Sequence, residues 1–493
     1  MESPAGHDVI KDPLQQKLLL ILVSVAGFMG SLDTTIVNIS LPTMATYFDT
    51  SITIVSWVAM AYLLTLSATL IAFGRFADIR GYRKVYLWGF AIFAIGSLAC
   101  GMLSMTIGEL IGFRILQAIG AAMLQAIGGA MITMYLPAAS RGKALGIMTT
   151  FVSVGVAAGP VLGGFLTTYL SWHWIFLINV PVGIIAILLG SRALPKDNVA
   201  VGDRQQHFDA TGAGILFAAL GTLVFAMNMG TTLGWTSPVI IASVFGSVIF
   251  WVTFVAWESR CPAPLIDLSF FRNHNYSLAN FAAMIGMMLV SGTSFIMPFY
   301  LEIVKGLKTD IAGLFLMVPA VALMVMGPLA GRLSDRVGSR RICIAAALCY
   351  IAANILFLQM TQNTAFWFII VALALNGAAA GLFIPPNFNL ILGLSPRGSE
   401  GVVSSIAMTA RNIGSVIAVA MYGTFFIITA FSGIQPGTGV AGITMPMLVS
   451  GFHAVFIFGT VLGALVLVLS LLIREVPCKD QACTEAAAGM GML

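Results

Sequence analysis

Apolar residues run along this chain in long blocks, and polar residues fall between them in short ones. Crossing the roughly 30 Å hydrocarbon layer of a bilayer takes about 20 consecutive, mainly apolar residues. Fourteen stretches meet that requirement. They lie near 17–38, 52–74, 85–105, 109–134, 143–169, 174–193, 211–230, 238–257, 277–301, 310–331, 341–360, 365–391, 401–430 and 449–473. Lipid offers no partner to backbone N–H and C=O groups, so each stretch is predicted to be a helix. The chain therefore reads as an all-α integral membrane protein.

Composition excludes a water-soluble fold. Hydrophobic residues make up 59% of the 493 and charged residues 9%, against about 25% charged in soluble domains. The net charge of +5 matters here through its placement and does not point to nucleic acid. Of the 24 Lys and Arg, Arg114 and Arg411 lie within spans, and only Lys305 and Lys308 fall in segments that an inside N-terminus would put outside. The other twenty fall inside. This bias predicts cytosolic termini in a plasma or inner membrane. It also supports an even span count, because one missed helix would invert every later loop. The first sixteen residues are polar, and the run that follows lacks a small-residue cleavage site, so no removed signal is expected. Of the six cysteines, Cys100, Cys343 and Cys349 lie in apolar runs. Cys261, Cys478 and Cys483 lie in predicted cytosolic segments, where disulfides are disfavoured. The C-x4-C pair Cys478/Cys483 does not match zinc spacing, and no metal site is expected.

A repeat divides the chain. Residues 74–84 read GRFADIRGYRK and residues 331–341 read GRLSDRVGSRR, which align without a gap. The first joins spans 2 and 3, and the second joins spans 10 and 11. Duplicated halves are a transporter signature. The loop returns after eight spans, so two extra spans are inserted between two sixes. The expected organisation is a six-helix bundle over 1–194, a cytosolic linker over 195–210 and the inserted spans 7 and 8 over 211–257. A cytosolic loop over 258–276, a second six-helix bundle over 277–474 and a tail over 475–493 follow. No G-x-x-x-x-G-K-[S/T] loop is present to cradle ATP phosphates. No cofactor is expected, and energy would come from the proton gradient.

Five groups of residues now carry a resemblance. Gly74 to Lys84 and its repeat look like the loop between spans 2 and 3 of the major facilitator superfamily. Arg114-x-x-Gln117 with Gly120-Ala121-Ala122 looks like its span 4 motif, although Ala118 stands where Gly is usual. Gly146, Gly155, Gly159-Pro160 and Gly163-Gly164 match its antiporter motif in span 5. Leu32-Asp33-x-Thr35-x-Val37-Asn38 with Leu41-Pro42 resembles span 1 of the fourteen-span drug/proton antiporter branch. Trp172-x-Trp174-Ile175-Phe176-x-x-Asn179-x-Pro181-x-Gly183 fits the same branch, with His173 in place of Arg. The resemblance implies the major facilitator fold. It also implies proton-coupled antiport that exports lipophilic or cationic drugs and toxic compounds from the cytosol or inner leaflet by alternating access.

Residue roles follow from chemistry and resemblance together. A carboxylate within a span costs on the order of 3 kcal/mol on insertion scales and normally faces a cavity or ion path. Desolvation favours a neutral carboxyl, so such a group can trade a proton near neutral pH. Asp33 is that candidate. Arg114 cannot shed its charge and needs a partner, either Asp33 or Glu109. Glu302 stands where relatives usually have Gln, and is expected either to contact cations or to pair with Lys305. Asn38, Gln117 and Asn387 are cavity candidates. Other polar groups in or near spans (Asn179, Asn228, Asn376, Asn389, Arg411, Asn412 and His453) read as interhelical hydrogen bonds, worth about 0.6 kcal/mol each. Gly74, Asp78, Gly81, Arg83 and Asp335 are implied to form a conformational latch. Gly155, Gly159, Pro160, Gly163 and Gly164 are implied to form a hinge or seal. Pro385-Pro386 is expected to break span 12. Span 10 has no acid between Ile311 and Ala330, which argues against divalent lipophilic cations.

Other readings weigh less. An exporter of an endogenous metabolite, antibiotic, lipid or siderophore would carry the same machinery. An importer fits the span 5 pattern less well. A membrane enzyme would need clustered His, Asp or Ser groups, and a sensor would need a soluble effector domain. The expected partners are small-molecule cargo, protons and lipids. The chain is expected to work as a monomer, and nothing in its sequence specifies a periplasmic adaptor.

Overall fold

The computed structural model describes residues 10, 12–195, 209–261, 264, 268–394, 400–430 and 444–473. Residues 196–208 of the predicted linker over 195–210, and the predicted tail over 475–493 with Cys478 and Cys483, lie outside them. Among the described residues, fourteen helices are long and apolar enough to cross a membrane. Span 1 is Pro13–Tyr47, span 2 Trp57–Arg80, span 3 Tyr82–Met102, span 4 Ile107–Tyr135, span 5 Ala138–Tyr169, span 6 Asn179–Ala193 and span 7 Ala210–Leu233. Span 8 is Pro238–Glu258, span 9 His274–Phe299, span 10 Thr309–Val337, span 11 Ser339–Leu358, span 12 Phe366–Gly393, span 13 Glu400–Ala430 and span 14 Met445–Leu472.

One-turn helices precede spans 2 and 6, at Ile52–Val55 and Trp174–Leu177, and a π-turn over Tyr300–Val304 extends span 9. Caps fix several starts. Asp12 accepts the Leu14 N–H at 3.0 Å beside Pro13, and Asn273 accepts the Asn275 and Tyr276 N–H groups.

Span 12 corrects an expectation. It runs unbroken through Pro385 and Pro386. Each proline forfeits only its own N–H and crowds the carbonyl four residues back. Those carbonyls belong to Gly381 and Leu382. Gly381 lies so close to span 10 that an added Cβ would stand 2.8 Å from Met326 Cβ, and this packing keeps the helix on course. Span 1 likewise passes through Pro42 and runs nine residues beyond its predicted end.

The helices pair in one pattern twice. Span 1 packs on 5, 2 on 4, 3 on 4 and 3 on 6. Eight spans later, 9 packs on 13, 10 on 12, 11 on 12 and 11 on 14. The two sixes meet along spans 5 and 10, and along spans 2 and 13. Spans 7 and 8 are central in the sequence but lateral in space. Span 7 lies against spans 2 and 13, and span 8 packs on span 7.

Hydrogen bonds that join the sixes gather at the end opposite the two basic repeat loops. Tyr169 Oη donates to Asp310 Oδ2 at 3.0 Å, the Asp310 N–H donates to Thr168 Oγ1 at 3.1 Å, and Asn38 Nδ2 donates to Ser294 Oγ at 3.3 Å. Span 7 adds two bonds there, from Asn228 Nδ2 to Ser56 Oγ at 3.0 Å and from Thr424 Oγ1 to the Met227 carbonyl at 2.5 Å. We call this the far end and the other the basic end.

Candidate functional site

Residues three apart on a helix share a face. Arg114 and Gln117 therefore project together from span 4, and span 1 brings Asp33 to meet them. Arg114 Nη1 donates to Asp33 Oδ2 at 2.7 Å and to Gln117 Oε1 at 2.7 Å, and Arg114 Nε donates to the Val58 carbonyl at 3.1 Å. Gln117 Nε2 donates to Asp33 Oδ1 at 2.8 Å and to Ser97 Oγ at 2.8 Å. Asn179 Nδ2, at the start of span 6, reaches Asp33 Oδ1 at 3.3 Å. The Arg114 guanidinium also lies 4.0 Å from the centre of the Tyr62 ring. Asp33 is 0% exposed and Arg114 1%.

Five of the first six spans thus contribute to one closed network. Both Asp33 oxygens accept hydrogen bonds, Oδ2 from Arg114 and Oδ1 from Gln117 and Asn179. This is the only ion pair among the described residues. Sequence reading reached Asp33, Arg114 and Gln117. It placed Asn179 only among general polar groups, and it missed Tyr62 and Ser97. The motif holding Asn179 was a usable signal. For Tyr62 and Ser97 no signal existed beyond a polar atom in an apolar run.

The alternative partner for Arg114 is ruled out. Glu109 Oε2 accepts the N–H groups of Met105 at 2.8 Å and Thr106 at 3.0 Å, closing a capping box with Thr106. Glu109→Ala is expected to cost about 1 kcal/mol of stability and to leave transport intact. Loss of transport in a stably folded Glu109→Ala protein would contradict the assignment as a cap.

Glu302 also departs from expectation. Lys305 does not pair with it. Lys305 Nζ donates to the carbonyls of Gln362 and Thr364, each at 2.8 Å. An ammonium offers three donors, and two backbone acceptors across the loop already occupy it. Glu302 lies instead in the π-turn beside Thr309, outside the Asp33 network.

Of the cavity candidates, Asn38 bridges spans 1 and 9 by its bond to Ser294. Asn387 is buried, and its Nδ2 donates to the Ala279 carbonyl of span 9 at 3.2 Å. His453 bonds the Met360 carbonyl at 2.8 Å, a packing role as expected.

The repeat loops match in backbone as well as sequence. Gly81 has φ +94° and Gly338 φ +97°, a region that a Cβ disfavours. Arg83 donates to the Ser191 carbonyl near the end of span 6. Its counterpart Arg340 donates to the Leu471 carbonyl at 2.6 Å, at the end of span 14. Both guanidiniums thus satisfy terminal helix carbonyls. Gly74 lies where span 2 approaches Ala126 of span 4. The side chains of Asp78 and Asp335 lie outside the described residues.

The span 5 motif has two faces. A Cβ on Gly155, Gly159 or Gly163 would overlap Ser31, Thr35 or Ile39 of span 1. Pro160 and Gly164 face span 10, where a Cβ on Gly313 would overlap the Pro160 carbonyl. Small residues here permit close backbone approach.

The helices pair twice in the same pattern, and the two sixes are bonded to each other at one end. The class this fold defines is the polytopic membrane transporter, not an enzyme. The chain belongs to the Major Facilitator Superfamily, whose sequence profile matches residues 23–419. It is 34% identical to the riboflavin transporter RibZ of Clostridioides difficile over 418 residues, which is 84% of this chain and 88% of that one. It is 30% identical to the multidrug resistance protein Stp of Mycobacterium tuberculosis, over 85% of this chain and 78% of that one. Among solved structures, a bacterial homologue of the human lysosomal transporter Spinster has a TM-score of 0.66 at 17% identity, covering 95% of this chain and 100% of that one.

Proposed function

We propose that this chain is a proton-coupled antiporter that exports small lipophilic molecules, drugs and toxic compounds among them, across the cell membrane. The buried Asp33–Arg114 pair carries this reading. An ionisable pair held inside the bilayer is retained at a cost and marks an ion path by default. The basic end is the cytosolic one under the positive-inside rule, with both termini there. The arrangement described is then closed to the outside, with cargo entering from the cytosol or inner leaflet.

The cycle follows from the network. With the far end sealed, Asp33 is charged and held by Arg114. Rocking of the sixes opens the seam between spans 5 and 10 and loosens the pair, and an outside proton then takes the place of Arg114 on Asp33. Return to the closed arrangement delivers that proton inward. The chain needs no cofactor and works as a monomer. The latch glycines, with Asp78 and Asp335, hold the opposite closure at the basic end.

The relationship to RibZ, named a riboflavin transporter, favours a second reading in which the cargo is an endogenous metabolite moved by the same cycle. The name of Stp, a multidrug resistance protein, supports the first.

The test is Asp33→Asn in proteoliposomes with an imposed proton gradient. Gradient-driven efflux is expected to fall to background while gradient-free exchange of the same cargo persists. Undiminished coupled efflux would falsify the assignment.

A further inference from the structure

Glu302 is a carboxylate that the Asp33 network does not use. It lies on the π-turn Tyr300–Val304 at the far end of span 9. The residue is half-buried, and its Oε1 is closed off from solvent and takes no hydrogen bond. A dry carboxylate oxygen without a donor is costly, and desolvation favours the neutral form. No cation supplies the alternative. The turn packs on spans 9, 10 and 14, and the titratable groups around it are engaged elsewhere. Tyr300 Oη donates to the Thr361 carbonyl at 2.8 Å, Lys305 is held by Gln362 and Thr364, and His453 of span 14 bonds the Met360 carbonyl. Asp310 of span 10 accepts the Tyr169 hydroxyl, and Lys308 is exposed. Among the described residues, none of these cations pairs with Glu302.

The second observation is what covers this carboxyl. Thr309, the first residue of span 10, lies beside Glu302. Thr309 is also part of the seam between the sixes. A Cβ on Gly164 of span 5 would overlap the Thr309 carbonyl. The next residue, Asp310, makes the bonds to Tyr169 and Thr168. One residue therefore touches the dry carboxyl on one side and the far-end seal on the other.

We propose that Glu302 is a second proton-binding site, separate from Asp33, that ties closure of the far end to the pH outside. With the seam shut, Glu302 is dry and holds a proton. With the seam open, span 5 no longer covers Thr309, water reaches the turn and Glu302 ionises. The proton enters and leaves on one side, so it is not carried across the membrane. It sets how readily the far end closes. The closed arrangement holds one proton more than the open one, so acid favours closure and alkali favours opening. Asp33 acts with the opposite sign, since in the proposed cycle it takes its proton in the open arrangement. This inference rests on the antiport reading for its placement of the far end outside, and adds a pH-sensitive gate to that cycle.

The experiment places spin labels on cysteines at Met105 and Asn363, with the six native cysteines replaced. Both positions are exposed, in the loops after spans 3 and 11, one on each six. Double electron–electron resonance on the full-length protein in lipid nanodiscs then gives the ratio of open to closed populations, from about pH 5 to about pH 9. Glu302→Gln is neutral at every pH and is the reference. Relative to it, the ratio in the chain with Glu302 is expected to rise with pH, by up to about tenfold per pH unit for one proton. Asp33 titrates in both proteins and cancels in this comparison. Glu302→Asp keeps the carboxyl and is expected to keep the rise. A chain that stays closed at every pH, a ratio that runs parallel to that of Glu302→Gln, or one that falls relative to it overturns the proposal. If Glu302→Gln does not fold, Glu302→Ala takes its place as the neutral reference. The assay imposes no gradient and moves no cargo, so its failure is separate from failure of the antiport test.

Discussion

Arg114→Ala is expected to destabilise the protein by about 3–5 kcal/mol, because it removes one partner of a buried pair and leaves the other charged. Asp33 would keep its bonds from Gln117 and Asn179 and lose the guanidinium at 2.7 Å. The Val58 carbonyl would lose its donor, and the space beneath the Tyr62 ring would empty. Arg114→Lys is expected to rescue only part of this. An ammonium is a point charge on a flexible stem and cannot hold Val58, Asp33 and Gln117 from one planar fork. The paired substitution Asp33→Asn with Arg114→Gln removes both charges and retains hydrogen-bonding groups. It is expected to recover most of the lost stability, since neutral replacement of a whole buried pair is often close to energetically neutral. It is also expected to stay inactive in gradient-driven transport. Thermal midpoints in detergent and efflux from proteoliposomes check the two halves of this expectation. A double variant that transports like the native chain would reduce the pair to scaffold.

The same physics explains what the sequence made legible. All fourteen spans were readable because bilayer thickness fixes a length and lipid excludes charge, and both constraints act on consecutive residues. Asp33 and Arg114 were readable because two lone opposite charges in apolar helices need each other. The T-x-x-E pattern at Thr106–Glu109 was also on view in the sequence, and a capping-box reading would have removed Glu109 from the search for a partner. Glu302 and Lys305 were different. Proximity of three residues suggested a pair, but the π-turn and the backbone acceptors at Gln362 and Thr364 depend on how spans 9, 11 and 12 come together. Tyr62 and Ser97 became part of the site through packing alone. The repeat aligned Arg83 with Arg340. That both would reach helix-terminal carbonyls, on spans 6 and 14, needed the fold.

The two faces of span 5 set up the other large effect. Gly159 and Gly313 both sit at close backbone approaches, but Gly159 faces span 1 within the first six and Gly313 faces span 5 from the second. Valine at Gly313 must displace the Pro160 carbonyl, a backbone group that cannot rotate aside. Overpacking of this kind costs about 1–3 kcal/mol. Here the cost falls only on the state in which the seam is shut, so it shifts the closed–open balance by about 5–150-fold toward the open arrangement. Valine at Gly159 meets Thr35 in a contact internal to one bundle, which both states share. Gly159→Val is therefore expected to lower the thermal midpoint with little change in that balance. A single cysteine at Ser294, on a background with the six native cysteines replaced, reports the difference. Its labelling by a membrane-impermeant maleimide from outside is expected to rise in Gly313→Val and to stay near the starting level in Gly159→Val. Equal labelling in both would mean that the span 5–span 10 contact is not the far-end seal. The closure would then rest on the Tyr169–Asp310 and Asp310–Thr168 bonds, which a few kilocalories of steric strain at Gly313 need not break.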